Sequence, residues 1–400
     1  MLVKRPNVLL SALMLSTSMS SAWAQAEDTF KLNAGYALQT DNNLFRSPAS
    51  TLAAEDRDSR TEHISQSSLG LSFNKPYSLQ RLEVDLGLVD SRYQRNSYLS
   101  FIAHNASAAW RWSLTPKLHG NLTSSRRESL NSFADNQVQN VRNLRTDTTT
   151  RFDTIYELGA AWRVVGGIST ATQNNVLPLA AEGSTSSTSG DVGLRYVWPS
   201  GTMLSYAFKK INGKYTNRTL QPSTLLDNRF NQQSNELRLH WPLSGHTVVD
   251  LNAAYISQNH PNFKQRDYSG FNTGASLKWD ISGKSALTAS WTRELASYQT
   301  NDTNFTRTDR LSVSPVWQIS PKTTVRLRYA IAFRDYLDSP TSNPASQRSD
   351  TTQDASLSLE WQPYYNLGLT TSLQKTRRTS NQSGFDYDSN MASFTAKYSF

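Results

Sequence analysis

Along most of this chain apolar and polar residues alternate with a period of two. Leu82, Val84, Leu86 and Leu88 are interleaved with Arg81, Glu83, Asp85 and Gly87, and Val325, Leu327, Tyr329, Ile331 and Phe333 with Arg326 and Arg328. Successive side chains of a strand point to opposite faces, so this rhythm describes strands with one apolar and one polar face. Seven such stretches close on a tryptophan just before a short turn rich in Pro, Gly or Ser: Trp112, Trp162, Trp198, Trp241, Trp279, Trp317 and Trp361, spaced roughly 36 to 50 residues apart. An indole is apolar in body and polar at one edge, and it settles at a membrane boundary; the recurrence reads as one ring, a periplasmic aromatic girdle around a closed barrel. The predicted fold is all-β: a transmembrane antiparallel up-and-down β-barrel of about 18 strands, within a range of 16 to 18.

The strand number comes from the turns. Eight tight ones are expected near Lys75-Pro76, Thr115-Pro116, Gly166-Gly167, Pro199 to Gly201, Pro242 to Gly245, Ser282-Gly283, Ser320-Pro321 and Gln362-Pro363. Each interval between them holds one strand up, a polar outer loop and one strand down, with two more strands before the first turn and two after the last. An even count returns both ends to the periplasmic side. Phe152, Phe208, Tyr255, Phe271 and Phe333 fall near the opposite strand ends and are expected to form the outer aromatic belt.

The first residues sharpen the compartment. Lys4 and Arg5, an apolar run from Val8 to Leu15 and the small-residue site Ala22-x-Ala24 describe a secretory signal over residues 1–24, leaving residues 25–400 as a single outer-membrane barrel domain. The apolar run is too short for a membrane helix, and no later stretch approaches one. The chain has no Cys, which suits an exported barrel that satisfies its own backbone. Net charge is +9, and +7 once Lys4 and Arg5 leave with the signal. With no nucleic-acid motif and an exported location, that excess is not read as a nucleic-acid surface.

Alternation assigns the charges to the inside. Glu83, Asp85, Arg111, Arg163, Arg195, Lys209, Glu236, Arg238, Asp250, Lys278, Arg326, Arg328 and Glu360 are expected to face the lumen, together with Lys397. They describe either a hydrated wall of balanced charge or a basic track that favours anions. Glu83 and Asp85 share a face as a glycosidase pair would, but any barrel directs such groups to its lumen. There is no nucleophile elbow, phosphate loop or His-Glu-x-x-His helix, and the six histidines lack short metal-ligand spacing, so neither an enzyme nor a cofactor or metal is expected. The outer loops, including Ser129 to Arg145, Gly213 to Phe230 and Asp338 to Asp350, look too short to seal a wide barrel, and few residues precede the first strand, so no plug is expected.

Two segments carry resemblances. Phe394, Ala396, Tyr398 and Phe400 share one face at the end of the chain, which resembles the assembly signal of bacterial outer-membrane barrels read by the barrel assembly machinery. After the first strand, Asp41, Asn42, Asn43, Leu44, Phe45 and Arg46 resemble the opening of a β-barrel porin family that includes the EpsL-type outer-membrane proteins of exopolysaccharide operons associated with exosortase systems. That resemblance implies a role in extracellular polysaccharide biosynthesis and export, with a glycan and periplasmic export components as partners, beside the lipid bilayer and lipopolysaccharide that surround any barrel of the bacterial outer membrane. By the residues alone, a general or substrate-specific diffusion porin for small solutes and a structural or adhesive barrel with a blocked lumen stand as alternatives.

Overall fold

Each strand pairs with its neighbours in sequence, and the last pairs with the first, so the alternating pattern becomes a continuous wall. The computed structural model describes residues 29–48, 60–134, 140–177, 183–300, 302–338 and 347–400. The expected signal over residues 1–24 lies outside these. The strands are β1 (Phe30–Asp41), β2 (Glu62–Tyr77), β3 (Gln80–Tyr93), β4 (Phe101–Thr115), β5 (Leu118–Leu130), β6 (Leu144–Leu158), β7 (Trp162–Asn175), β8 (Thr185–Val197) and β9 (Met203–Tyr215). They continue as β10 (Arg229–Ser244), β11 (Thr247–Asn259), β12 (Tyr268–Ser282), β13 (Ser285–Ser297), β14 (Phe305–Ser320), β15 (Thr323–Leu337), β16 (Ser349–Tyr364), β17 (Leu367–Ser380) and β18 (Tyr387–Ser399). All pairings are antiparallel between consecutive strands, and β18 closes on β1 from Asn33↔Ser399 to Asp41↔Met391. The expected 18-stranded up-and-down barrel is the observed one. Closure pairs every strand on both sides and leaves no open edge, which a wall in hydrocarbon requires.

The register separates two faces. Leu327, Leu357, Leu373, Leu237 and Phe271 are exposed on the outer wall at 40–60 % of their surface, an apolar belt. This is a surface made for lipid rather than water. At the tight-turn end Trp162, Trp198, Trp241, Trp279, Trp317 and Trp361 point outward and exposed. Trp112 shares their face but is 7 % exposed, because it lies over Gly120 and stacks on Phe152 at 5.5 Å and 3°. Phe394, Tyr398 and Phe400 also face outward at the seam, and the backbone N–H of Phe400 donates to the Leu32 carbonyl at 2.8 Å.

Four expectations shift, one being the last tight turn, which sits at Tyr365-Asn366 with Gln362-Pro363 still inside β16. The turn between β2 and β3 sits at Ser78-Leu79 rather than at Lys75-Pro76, with Ser78 at φ 55° and Pro76 still paired, opposite Arg81. Gly166-Gly167 is not a turn but the interior of β7; the chain reverses at Gly159, φ 92°, so Trp162 opens a strand instead of closing one. The glycine pair has another cause. Arg151 crosses Gly167 to grip Asp191 with two bonds of 2.6 and 2.9 Å, and a Cβ on Gly167 would stand 2.6 Å from its guanidinium. Phe152 belongs to the Trp112 stack rather than to the outer belt.

The opposite rim is built from polar knots. Arg266, fully buried in the loop between β11 and β12, donates to the carbonyls of Thr224, Leu225, Thr300 and Thr303 and to Asn304 Oδ1, at 2.7–3.2 Å. It thereby ties the loops after β9, β11 and β13 into one body. Asp227 accepts from Asn262 at 2.7 and 3.1 Å, and the buried His260 ring bonds Gln299 at 2.8 Å. Beneath lies an apolar cluster of Ile256, Tyr268, Leu295 and Phe305.

Candidate functional site

The lumen wall is the one extended polar surface inside the barrel, and cross-strand rungs decide which charges meet on it. Register carries all of Glu83, Asp85, Arg111, Arg163, Arg195, Lys209, Glu236, Arg238, Asp250, Lys278, Arg326, Arg328 and Glu360 to the inner face. Most are paired along or across strands. Arg111 grips Glu83 with two bonds of 2.9 and 3.0 Å, Arg326 donates to the buried Glu360 at 2.8 Å, and Asp250 meets His240 at 2.6 Å. Asp85 accepts from Ser107 at 3.3 Å, and Lys278 stands 4.0 Å from Asp280. Lys209 is buried on β9.

On one arc the pairing is incomplete. Arg163 stands opposite Arg195, and Ser205 stands opposite both Arg195 and Arg238, so three guanidiniums share one line across β7 to β10. Glu157 holds Arg163 at 3.3 Å and Glu236 holds Arg238, whereas the Arg195 guanidinium donates to the Ser205 hydroxyl at 3.2 Å. A hydroxyl carries no countercharge, and only the more distant Asp153 offsets this cation. On the facing arc Arg310 lies flat across β15, where Ala330 and Ala332 are buried beneath it, and reaches Asp354 at 3.6 Å. Arg328 and Arg334 stand beside it on the same face, and Arg328 is exposed to the lumen.

Inward structure narrows the outer part of the lumen. Phe133, in the loop after β5, is buried against Leu44, Ile64 and Leu99, and its neighbour Ala134 gives its carbonyl to Arg378 on β17, far around the wall. From the other side Tyr215 at the top of β9 touches Ser297 at the top of β13 through their hydroxyls, 3.3 Å apart. Between them lies a cavity of about 760 Å³ lined by Arg145, Glu294, Arg310, Arg334, Asp354 and Arg378. By length no outer loop was expected to seal the barrel, and this one enters the lumen. Its signal was Phe133, a large apolar residue in an otherwise polar loop. Arg310 and Arg334 were also missed, although Arg334 continues the inward positions of Arg326 and Arg328 along β15.

The segment Asp41 to Arg46 is a latch at the seam. Asp41, 1 % exposed, accepts from the Asn43 backbone at 2.9 Å and from Ser389 at 3.0 Å, and pairs with Arg46 at 2.8 Å. Asn42 and Asn43 bond to Asn390 and Asp388 on β18, while Leu44 and Phe45 pack toward Phe133. Short polar residues tie β1 to β18 where the last rung ends.

Comparison with known proteins agrees with this architecture. Residues 243–400 match the family described as "Putative beta-barrel porin 2". OccK2 (OpdF) from Pseudomonas aeruginosa superposes with a TM-score of 0.52 and 12% identity over 93% of this chain and 97% of that one. The outer membrane protein OpdK of the same organism gives 0.50 and 12% over 94% and 100%, and OccAB3 from Acinetobacter baumannii 0.51 and 7% over 93% and 98%. At these identities the likeness is one of fold. No curated protein matches the chain's sequence. The apolar outer wall, the polar lumen and a porin-family match over the last strands together make this chain a bacterial outer-membrane β-barrel of porin architecture.

Proposed function

We propose that the barrel is a passive channel for small anionic solutes, carboxylates in the first place. The observation that carries this reading is the line of Arg163, Arg195 and Arg238, three guanidiniums sharing two carboxylates, with Arg310, Arg328 and Arg334 on the facing arc. A surplus of guanidiniums over carboxylates on a low-dielectric wall lowers the energy of an anion in transit and raises its local concentration. Because most of the remaining charges are paired and the wall is wet, an anion is attracted without being held, as passage requires. OccK2 has been solved with glucuronate and OpdK with vanillate, both carboxylates, which supports the same class of solute here. Export of a polysaccharide is the weaker reading: a polymer would have to thread the outer lumen past Phe133 and the joined tops of β9 and β13.

The test is reversal potential and conductance of the purified protein in planar bilayers under a salt gradient, with chloride and then glucuronate as anion. Anion preference is expected, and Arg195→Gln with Arg238→Gln should lower the anion-to-cation permeability ratio at least about twofold. Cation preference, or a ratio unmoved by both substitutions, would overturn it.

A further inference from the structure

Strands β9 and β10 carry their outward pattern past the hydrocarbon belt. On β9 the outward residues run Leu204, Tyr206 and Phe208, and then Lys210, Asn212 and Lys214 on the same face. On β10 Arg229 stands opposite Lys214, Asn231 opposite Asn212 and Gln233 opposite Lys210, before Leu237, Leu239 and Trp241 resume the apolar face. Lys210, Lys214 and Arg229 are all exposed. The hydrocarbon ends at Phe208, so these cations stand at headgroup level on the loop side of the barrel.

What sets the patch apart is the absence of a paired carboxylate among the described residues. Flanking outward positions are Ser186, Thr188 and Gly190 on β8 and Ser257 and Asn259 on β11, hydroxyls and amides that donate hydrogen bonds but carry no charge. The nearby Asp227 is fully buried and already committed to Asn262 and to the Arg229 backbone N–H rather than to its guanidinium. Elsewhere on this rim outward cations have carboxylate partners: Arg92 with Asp90 at 2.8 Å, Arg293 with Asp309 at 2.9 Å, Lys375 with Asp388 at 3.7 Å. Lys210, Lys214 and Arg229 have no such partner among the described residues.

We propose that this face of β9 and β10 binds the phosphate groups of the phosphorylated glycolipid of the outer leaflet. Lys214 and Arg229 are adjacent across one rung and form a two-cation seat for one phosphate. Lys210, four residues along the strand and therefore about 13 Å nearer the hydrocarbon, meets a second. Asn212, Asn231 and Gln233 lie between them and serve sugar hydroxyls. Ammonium and guanidinium bonds to phosphate are charge-assisted and strong at the edge of a membrane, where water is depleted. The apolar face below accepts the acyl chains, so one lipid is held at both ends.

Native mass spectrometry of the folded full chain in detergent, titrated with bisphosphorylated lipid A, dephosphorylated lipid A and phosphatidylglycerol, tests this. The bisphosphorylated lipid should bind at least about tenfold tighter than the other two, and the Lys210→Asn/Lys214→Asn/Arg229→Asn triple variant should lose that preference. Arg293→Gln should keep it. Heat-modifiable migration checks folding of each variant, and should the triple variant not assemble, Lys214→Asn and Arg229→Asn singly should each weaken binding several-fold. Equal binding of phosphatidylglycerol, or a preference that survives the substitutions, overturns the proposal. The outcome is independent of conductance, so it stands or falls apart from the channel reading.

Discussion

The wall and tight-turn end of this barrel are held by repetition, while the outer rim is held by singular contacts. Below, the strands repeat one device, an outward apolar row and an inward polar row, with a tryptophan at the boundary on seven hairpins. Above, one arginine, one aspartate and one histidine join three loops that are far apart in sequence. Loss of one element should therefore be shared out below and concentrated above.

The largest effect is expected at the rim. Burial pushes the Arg266 guanidinium down to about 10, still far above physiological pH, so it sits charged among carbonyls that have no water to turn to. Arg266→Ala would orphan those carbonyls and should cost the loop body about 3–5 kcal/mol. Amide exchange over residues 216–228, 260–267 and 298–304 should rise while heat-modifiable migration of the barrel persists. Unchanged protection there would dissolve the contrast between rim and wall.

In the wall the sharper test compares neighbours on one strand. Leu327 faces lipid and Arg328 faces the lumen. Leu327→Arg should cost about 2–4 kcal/mol in refolding titrations into lipid if it lies near the midplane, and Arg328→Gln within about 0.5 kcal/mol. Arg326 is a poorer inward control than the sequence suggests, because its removal would strand the buried Glu360. Next comes Gly120→Ala. A Cβ there would stand 2.0 Å from the Asp153 carbonyl oxygen and 2.7 Å from the Trp112 ring, so the backbone between β5 and β6 must give and the indole must leave its stack on Phe152, at about 1–3 kcal/mol. The Trp112 contribution to fluorescence should shift toward that of an exposed indole; an unshifted spectrum would mean that the stack is not confined.

The same contrast explains what was legible. Period-two alternation and tryptophan spacing are local and repeated, so strand number, inward charges and girdle could be read from residues a few positions apart. The Gly166-Gly167 pair misled because its reason is non-local: Arg151, on the preceding strand, needs its space to reach Asp191 on the following one. The rim and the inward loop were not legible for the same reason. Arg266 looks like any loop arginine until Thr224 and Thr300 surround it, and Phe133 declares itself only against Leu44 and Leu99.

The smallest effect is acid loosening of the rim, and its sign follows from two groups outside the membrane. Burial lowers the His260 imidazole below its ordinary value despite the nearby Asp267 and Asp227 carboxylates, with Arg266 adding to the lowering. The neutral ring is therefore the one the folded loops prefer. Its contribution is complete above about pH 6.5 and fades as pH falls below that. Burial would raise the Asp227 carboxyl, but hydrogen bonds from Asn262, Arg229 and Asn228 outweigh it and hold the group below the usual carboxylate range. Its contribution is complete above about pH 4 and is lost as pH falls through the lowered value. Loop amide exchange, corrected for intrinsic rates, should thus rise in two stages, the first between pH 7 and 5 and the second below 4. His260→Gln should remove the first stage alone. Protection that increases on going from pH 7 to 5 would reverse the sign and show that the loops prefer the charged ring.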